Sequence, residues 1–300
     1  MKENFKSGFV AIIGKPNVGK STLLNKILKQ KVSIVSPKPQ TTRNKITGIY
    51  NTDDCQIVFL DTPGIHKPKN TLDKYMEKSI DSALEGIDVL VYMLDGLKDF
   101  QQEEIETIKN YSNSSIPVIL VVNKIDESSF EKLYPKLAKL NELSKVKEII
   151  PLSAKVGKNV DVLIDSILKL LPVGPCYYPQ DEVSDKSLQF IAGEIIREKA
   201  LWLLNEEIPH GIAVVINSFK EQSNISKIDA TIICEKEGHK KIVIGANGEK
   251  LKQIAESARK EIERLVGQKV YLSIWVKVKE NWRDNDFQVS NLGYNIKDVD

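Results

Sequence analysis

Cysteine is scarce in this chain. Cys55, Cys176 and Cys234 are the only three in 300 residues, odd in number and far apart. They exclude a disulfide framework and a thiolate zinc site, and a reducing cytosol is the expected setting. Histidine is equally rare, and His66, His210 and His239 stand singly, each a surface or part-buried residue and not a ligand. An excess of one charge is missing too: the net charge is +2, too small to announce a polyanionic partner. Long hydrophobic runs are absent, since stretches such as Ile116 to Val122 have the length of a strand. A membrane span needs about 20 apolar residues. Lys2 and Lys6 precede Phe9 to Ile13 as in a signal peptide, but that run is too short and leads straight into a glycine-rich loop. Neither repeats nor low-complexity tracts occur. What remains is a chain expected to be cytoplasmic, 41% hydrophobic and long enough for about two domains.

The glycine-rich loop organises the rest. Gly14-Lys15-Pro16-Asn17-Val18-Gly19-Lys20-Ser21-Thr22 follows the apolar run Phe9 to Ile13 and opens into Leu23-Leu24-Asn25-Lys26-Ile27-Leu28. This is the strand, loop and helix start that a G-x-x-x-x-G-K-[ST] phosphate loop requires. Gly14 and Gly19 let backbone N–H groups close on phosphate oxygens, and the helix N-terminus adds partial positive charge. Lys20 would reach the β- and γ-phosphates, with the Ser21 hydroxyl on a magnesium ion.

Downstream, strands are expected at 46–50 and 55–60 and as buried apolar runs at 89–94 and 118–122, with a further strand at 148–152. Helices are expected at 72–84, 100–111, 129–143 and 160–171. The alternation predicts an α/β domain with a mostly parallel sheet wrapped on both faces and ligands at the carboxyl ends of its strands. Pro172-Val173-Gly174-Pro175-Cys176-Tyr177-Tyr178-Pro179 then breaks the pattern. The reading is a nucleotide domain over 1–173, a linker over 174–186, and a smaller α+β domain over 187–300 with a polar tail.

Asp61-Thr62-Pro63-Gly64 closes a strand 40 positions after Ser21. Asp61 would hold magnesium through water, and the Gly64 N–H could meet the γ-phosphate. Asn123-Lys124-Ile125-Asp126 follows another buried strand. A carboxylate at Asp126 accepts from both N1–H and the 2-amino group of guanine, whereas adenine would leave it unpaired, a discrimination of roughly 10⁴-fold. Ser153-Ala154 would back the base through backbone N–H groups.

In this order the four motifs resemble the Ras-like GTPase superfamily. Within it, Gln40-Thr41-Thr42-Arg43-Asn44, Glu194-Ile195-Ile196-Arg197-Glu198-Lys199 and the C-terminal region are similar to the Era family of ribosome-assembly GTPases. The resemblance implies GTP hydrolysis with bound magnesium, and Thr42 as the threonine that senses γ-phosphate and completes the metal shell. The residues alone do not choose between Thr41 and Thr42. Catalysis would rest on Lys20, Thr42 and Gly64, and the metal on Ser21, Thr42 and Asp61. Ile65 stands where better-known relatives have a water-orienting glutamine, and an alkyl chain cannot orient a water, so slow intrinsic hydrolysis is expected. The likeness also admits potassium stimulation through Asn17, although an asparagine that merely tolerates a tight turn accounts for that position equally well.

Gly245-Ala246-Asn247-Gly248 looks like the GxxG loop of a KH domain, which clamps about four nucleotides of single-stranded RNA. Lys241, Lys250 and Lys252 crowd it, with Lys236 and Lys240 nearby. From 186 onward 18 basic residues face 17 acidic ones, so binding would depend on local charge. Helix, strand, strand, loop, helix and strand in that order resemble the type II KH arrangement, in which 241–244 would be a short helix. Leu251, Ile254, Ala255, Ala258, Ile262 and Leu265 give the helix after the loop one apolar face. Tyr271, Trp275 and Trp282 are candidates for base stacking, with Trp275 expected in the core. By resemblance the RNA is the 3′ end of 16S rRNA and the role is maturation of the 30S subunit, by a monomer with peripheral membrane contact as an option. The alternative is a regulatory GTP sensor whose KH-like domain binds protein or membrane.

Overall fold

The structure is a computed structural model that describes residues 4–143 and 145–295. It forms two compact units. The first takes the chain up to Ser33, then Thr42–His66 and Ser79–Asp185. The second takes Ile34–Thr41, Lys67–Lys78 and the chain from Lys186 onward.

In the first unit β1 (Lys6–Gly14) leads through the glycine-rich loop into α1 (Lys20–Leu28). There follow β2 (Ile46–Asn51), β3 (Cys55–Asp61), α2 (Thr71–Leu84, of which only the part from Ser79 belongs to this unit), β4 (Val89–Asp95), α3 (Gln102–Ser112), β5 (Val118–Asn123), α4 (Phe130–Leu143), β6 (Glu148–Pro151) and α5 (Val160–Leu170). The sheet runs β2-β3-β1-β4-β5-β6, with β2 antiparallel to β3 and every other pairing parallel. Strands β3, β4 and β5 are buried along their whole length, as continuous apolar runs require when both sheet faces are covered. Core residues from Ala11 and Ile13 through Leu120 and Val122 fill one side of that sheet. Because the parallel strands end together, the loops after β1, β3 and β5 open at one edge, and all three carry motifs.

The segment expected as a linker lies along this unit. Gln56 Oε1 accepts from the N–H groups of Tyr177 (2.6 Å) and Tyr178 (3.0 Å), and Ile49 N–H donates to the Val183 carbonyl at 2.8 Å. Ser184 Oγ donates to the Thr47 carbonyl at 2.6 Å.

The second unit contains α6 (Leu188–Leu203), β7 (Ala213–Glu221), β8 (Ile225–Cys234), α7 (Glu237–Ile244), α8 (Glu249–Val266), β9 (Lys269–Val278) and α9 (Asp286–Asn291). Its sheet runs β7-β8-β9, antiparallel then parallel. The short helix implied at 241–244 is present and begins earlier, at Glu237. Ile254, Ala258 and Ile262 of α8 are buried against α6 and the sheet, with Leu251 and Leu265 packed at the margin.

Two tryptophans exchange their expected roles. Leu272, Ile274, Val276 and Val278 of β9 face the helices, and the two-residue period of a strand turns Tyr271 and Trp275 outward, 62% and 60% exposed. Trp282 is fully buried, its indole N–H bound to the Gly211 carbonyl at 2.9 Å. It packs with Leu72, Tyr75, Met76, Val289, Leu292 and Tyr294. The stretch read as a polar tail is therefore a structured cap as far as residue 295.

Candidate functional site

The loop after β1 is built for phosphate. Gly19 has a φ of 105° and sits at the N-cap of α1, and a Cβ there would lie 2.2 Å from Asn123 Nδ2. No side chain fits, so the backbone lies against Asn123 and the helix N-terminus is left uncovered. Lys20 is buried, and its Nζ donates to the carbonyls of Gly14 (2.9 Å) and Lys15 (3.1 Å). Burial lowers its pKa to about 8, with nearby Asp61 pulling the other way. A phosphate group would restore the charge that burial disfavours. Lys15 Nζ reaches the buried Glu104 at 3.2 Å.

Three oxygens converge beside it from three segments. Ser21 Oγ donates to Asp61 Oδ2 at 2.6 Å and lies 2.8 Å from Thr42 Oγ1. Thr41 takes no part, its hydroxyl meeting Ser36 Oγ and the Lys38 carbonyl, each at 2.7 Å. Asp61 is fully buried, and its Oδ1 finds no hydrogen-bond partner among the described residues. Burial raises its pKa, while Ser21, Lys20, Ser33 and the Thr62 backbone oppose the rise. A buried carboxylate oxygen without a donor, beside two hydroxyls, is a donor set suited to a hard divalent cation. Ser33, which donates to Asp61 Oδ2 at 2.9 Å, escaped the sequence reading. So did Asn25, whose side chain binds the Val32 and Ser33 N–H groups and the Ser33 carbonyl. Ser33 stands in an irregular segment with no periodicity to mark it, and Asn25, within α1, reads as an ordinary polar position of a helix.

After β3, Thr62 Oγ1 donates to the Ile12 carbonyl at 2.8 Å, and Ile65 N–H donates to the Gly14 carbonyl at 3.0 Å. Gly64 is thereby set against the phosphate loop. Asn17 has a φ of 64°, as a tight turn demands.

Asn123 joins three motif segments. Its Nδ2 donates to the Val18 carbonyl at 2.8 Å and its Oδ1 accepts from Ala154 N–H at 2.9 Å. Lys124, with a φ of 70°, pairs with Asp95 at 2.8 Å, and Asp126 is exposed in the turn that follows. The backbone donors expected to meet the base are engaged within the protein: Ala154 N–H with Asn123, and Ser153 N–H with the Lys158 carbonyl at 3.0 Å. A guanine oxygen would have to compete for them.

In the second unit, Gly245 to Gly248 forms the turn into α8, with φ values of 74° at Gly245 and 80° at Gly248. A Cβ at Gly248 would meet nothing within 4 Å, so the loop offers its backbone to an incoming chain.

The 50S ribosome-binding GTPase family model matches residues 9–124, and the KH domain model matches 207–283. A GTPase Era of Clostridium botulinum is 50% identical over 291 residues, spanning 97% of this chain and 98% of its own. That of Clostridium acetobutylicum is 50% identical over 290 residues, spanning 97% and 98%. The chain belongs to the Era family of GTPases. An Era solved with MgGDPNP and nucleotides 1506–1542 of 16S ribosomal RNA superposes with a TM-score of 0.93 at 42% identity, covering 97% of this chain and 99% of that one. A variant of Aquifex aeolicus Era bound to GDP and AlF4− gives 0.92 at 42% identity, covering 97% and 100%. As an Era-family GTPase the chain joins a Ras-like domain to a KH domain. Its KH unit also holds residues 34–41 and 67–78, two stretches of the N-terminal half.

Proposed function

We propose that this Era-family GTPase is a GTP-driven RNA-binding switch acting on the 3′ end of 16S rRNA in maturation of the 30S subunit. The observation that carries the reading is the pairing in one chain of a phosphate loop with an open GxxG turn at the N-terminus of α8. A relative 42% identical over nearly the whole chain was solved with that RNA, which supports the same ligand class here. The GTPase family model names the large subunit instead, but it spans only residues 9–124 and says nothing of the RNA-binding half. RNA would be gripped at Gly245, Ala246, Asn247 and Gly248, with Lys241, Lys250 and Lys252 on the phosphates. The protein would work in the cytoplasm as a monomer. Peripheral contact with the membrane stays an option of this reading; among the described residues no helix is long and apolar enough to cross one.

GTP would be held by the loop from Gly14 to Thr22, with Lys20 on the β- and γ-phosphates and Asp126 selecting guanine. Ser21 and Thr42 would ligate magnesium directly and Asp61 through water; the ion neutralises charge on the phosphates when bound. The Gly64 N–H meets the γ-phosphate in this reading, and Ile65 leaves the attacking water without a side-chain partner. Slow basal hydrolysis follows, with potassium held near Asn17 as a candidate accelerator.

Two titrations of single-stranded RNA test the switch, one with a non-hydrolysable GTP analogue and one with GDP. Tighter binding with the analogue is expected, and reciprocity then requires RNA to tighten analogue binding by the same factor. Gly248→Asp places a carboxylate and a Cβ against the RNA backbone and should abolish RNA binding while sparing basal hydrolysis. Identical RNA affinities in the two nucleotide states would leave two tethered but independent domains.

A further inference from the structure

Packing explains only part of Glu194-Ile195-Ile196-Arg197-Glu198-Lys199. Ile195 and Ile196 belong to the core under α6, but Arg197 and Glu198 are buried as well, at 0% and 2% exposure. A guanidinium held away from water carries a large desolvation cost and persists where specific partners offset it. Glu194 is one, accepting from Arg197 Nε at 2.7 Å and Nη2 at 2.6 Å. The Thr41 carbonyl is another, to which Nη2 also donates, while Nη1 has no hydrogen-bond partner among the described residues.

The same helix holds the far end of that segment. Glu198 Oε1 accepts from Val35 N–H at 2.8 Å, and the Trp202 indole donates to the Val35 carbonyl at 3.0 Å. Just past the helix, Asn205 Oδ1 accepts from Lys38 Nζ at 3.1 Å. Ile34–Thr41 is thus fixed at both ends within the second unit. A peptide group is planar, so a fixed Thr41 carbonyl also fixes the N–H and Cα of Thr42. Thr42 is the residue whose hydroxyl lies 2.8 Å from Ser21 Oγ.

We infer that Arg197 is a positioning residue for Thr42: it orients the 41–42 peptide so that the Thr42 hydroxyl meets Ser21 and the γ-phosphate side of the site. This rests on the reading of Thr42 as the γ-phosphate sensor. It separates two nucleotides, since GDP makes no demand on Thr42. Arg197 therefore contributes to GTP-analogue affinity and to kcat, and leaves GDP affinity alone.

The test measures GDP and GTP-analogue affinity in magnesium, with kcat, for the full chain and for Arg197→Met, Arg197→Lys, Thr42→Ala and the Met/Ala double variant. Charge-assisted hydrogen bonds set the expected scale: Arg197→Met should cut the analogue-to-GDP preference and kcat on the order of tenfold, with GDP affinity unchanged. Arg197→Lys, which keeps a charged donor, should fall between. On the Thr42→Ala background Arg197→Met should add nothing, the signature of two residues acting as one unit. Equal losses of GDP and analogue affinity in Arg197→Met would mark a merely structural role and overturn the inference. So would an unchanged preference alongside a Thr42→Ala that loses it. If Thr42→Ala itself keeps the preference, the sensor reading fails first and takes the inference with it. Should Arg197→Met fail to fold, Arg197→Lys gives the same readout, and a wild-type preference there refutes the role.

Discussion

Lys20 makes nucleotide binding depend on pH in a direction that can be worked out beforehand. Burial holds its pKa at about 8 against 10.5 for a free lysine. The protein without nucleotide therefore loses this proton near pH 8, while phosphate oxygens should hold the group charged well above that. At pH 7 about nine-tenths of the unliganded protein carries the charge and at pH 8.5 about a quarter, so GDP affinity should fall about fourfold across that range. Binding at pH 8.5 should take up most of one proton. Stability follows the same linkage. The folded-state pKa lies below the unfolded one, so the fold prefers neutral Lys20. The gain is absent below about pH 8 and grows as pH rises toward the unfolded pKa, reaching about 3 kcal/mol. Calorimetric titrations of GDP in two buffers of different ionisation heat give affinity and proton uptake together. Lys20→Ala, which removes the phosphate contact, should abolish binding and leave the circular dichroism of the fold intact. A GDP affinity that stays flat from pH 7 to 8.5 with no proton uptake would refute the argument, as would normal GDP affinity in Lys20→Ala.

Asp126→Asn trades an acceptor-only group for one with donors and should gain XTP at the expense of GTP in hydrolysis assays; wild-type hydrolysis of ATP alongside GTP would break the guanine assignment. If Asn17 helps hold potassium, hydrolysis in potassium should exceed that in sodium at equal ionic strength, and Asn17→Ala should remove the difference. Equal wild-type rates in the two salts would leave Asn17 with its turn alone. Trp282→Ala empties a fully buried site and strands the Gly211 carbonyl, so about 3–5 kcal/mol of stability should be lost in denaturant unfolding. A loss below about 1 kcal/mol would mean that the cap around Trp282 contributes little to the fold.

What the sequence determined by itself is local. The phosphate loop could be read because its chemistry lies in contiguous residues, with a strand before and a helix after. Helix α8 was legible as the amphipathic helix after the GxxG loop because its apolar positions recur at helical spacing, and Gly248 and Gly267 bound it in the structure. The buried strands showed as unbroken apolar runs. By residue chemistry alone Thr41 and Thr42 are equivalent, and the resemblance favoured Thr42; the tertiary structure adds that Thr42 faces Ser21 while Thr41 faces Ser36. Trp275 was misplaced because a strand's period separates two faces without saying which one meets the helices, and Trp282 because its partners Leu72, Tyr75 and Met76 are remote in sequence. The grouping of Ile34–Thr41 with the C-terminal half was beyond any pattern in the chain, since Val35 and Glu198 meet across 163 positions. Periodicity and motif spacing record what neighbours along the chain can form, whereas a contact at that separation exists only once the fold has closed.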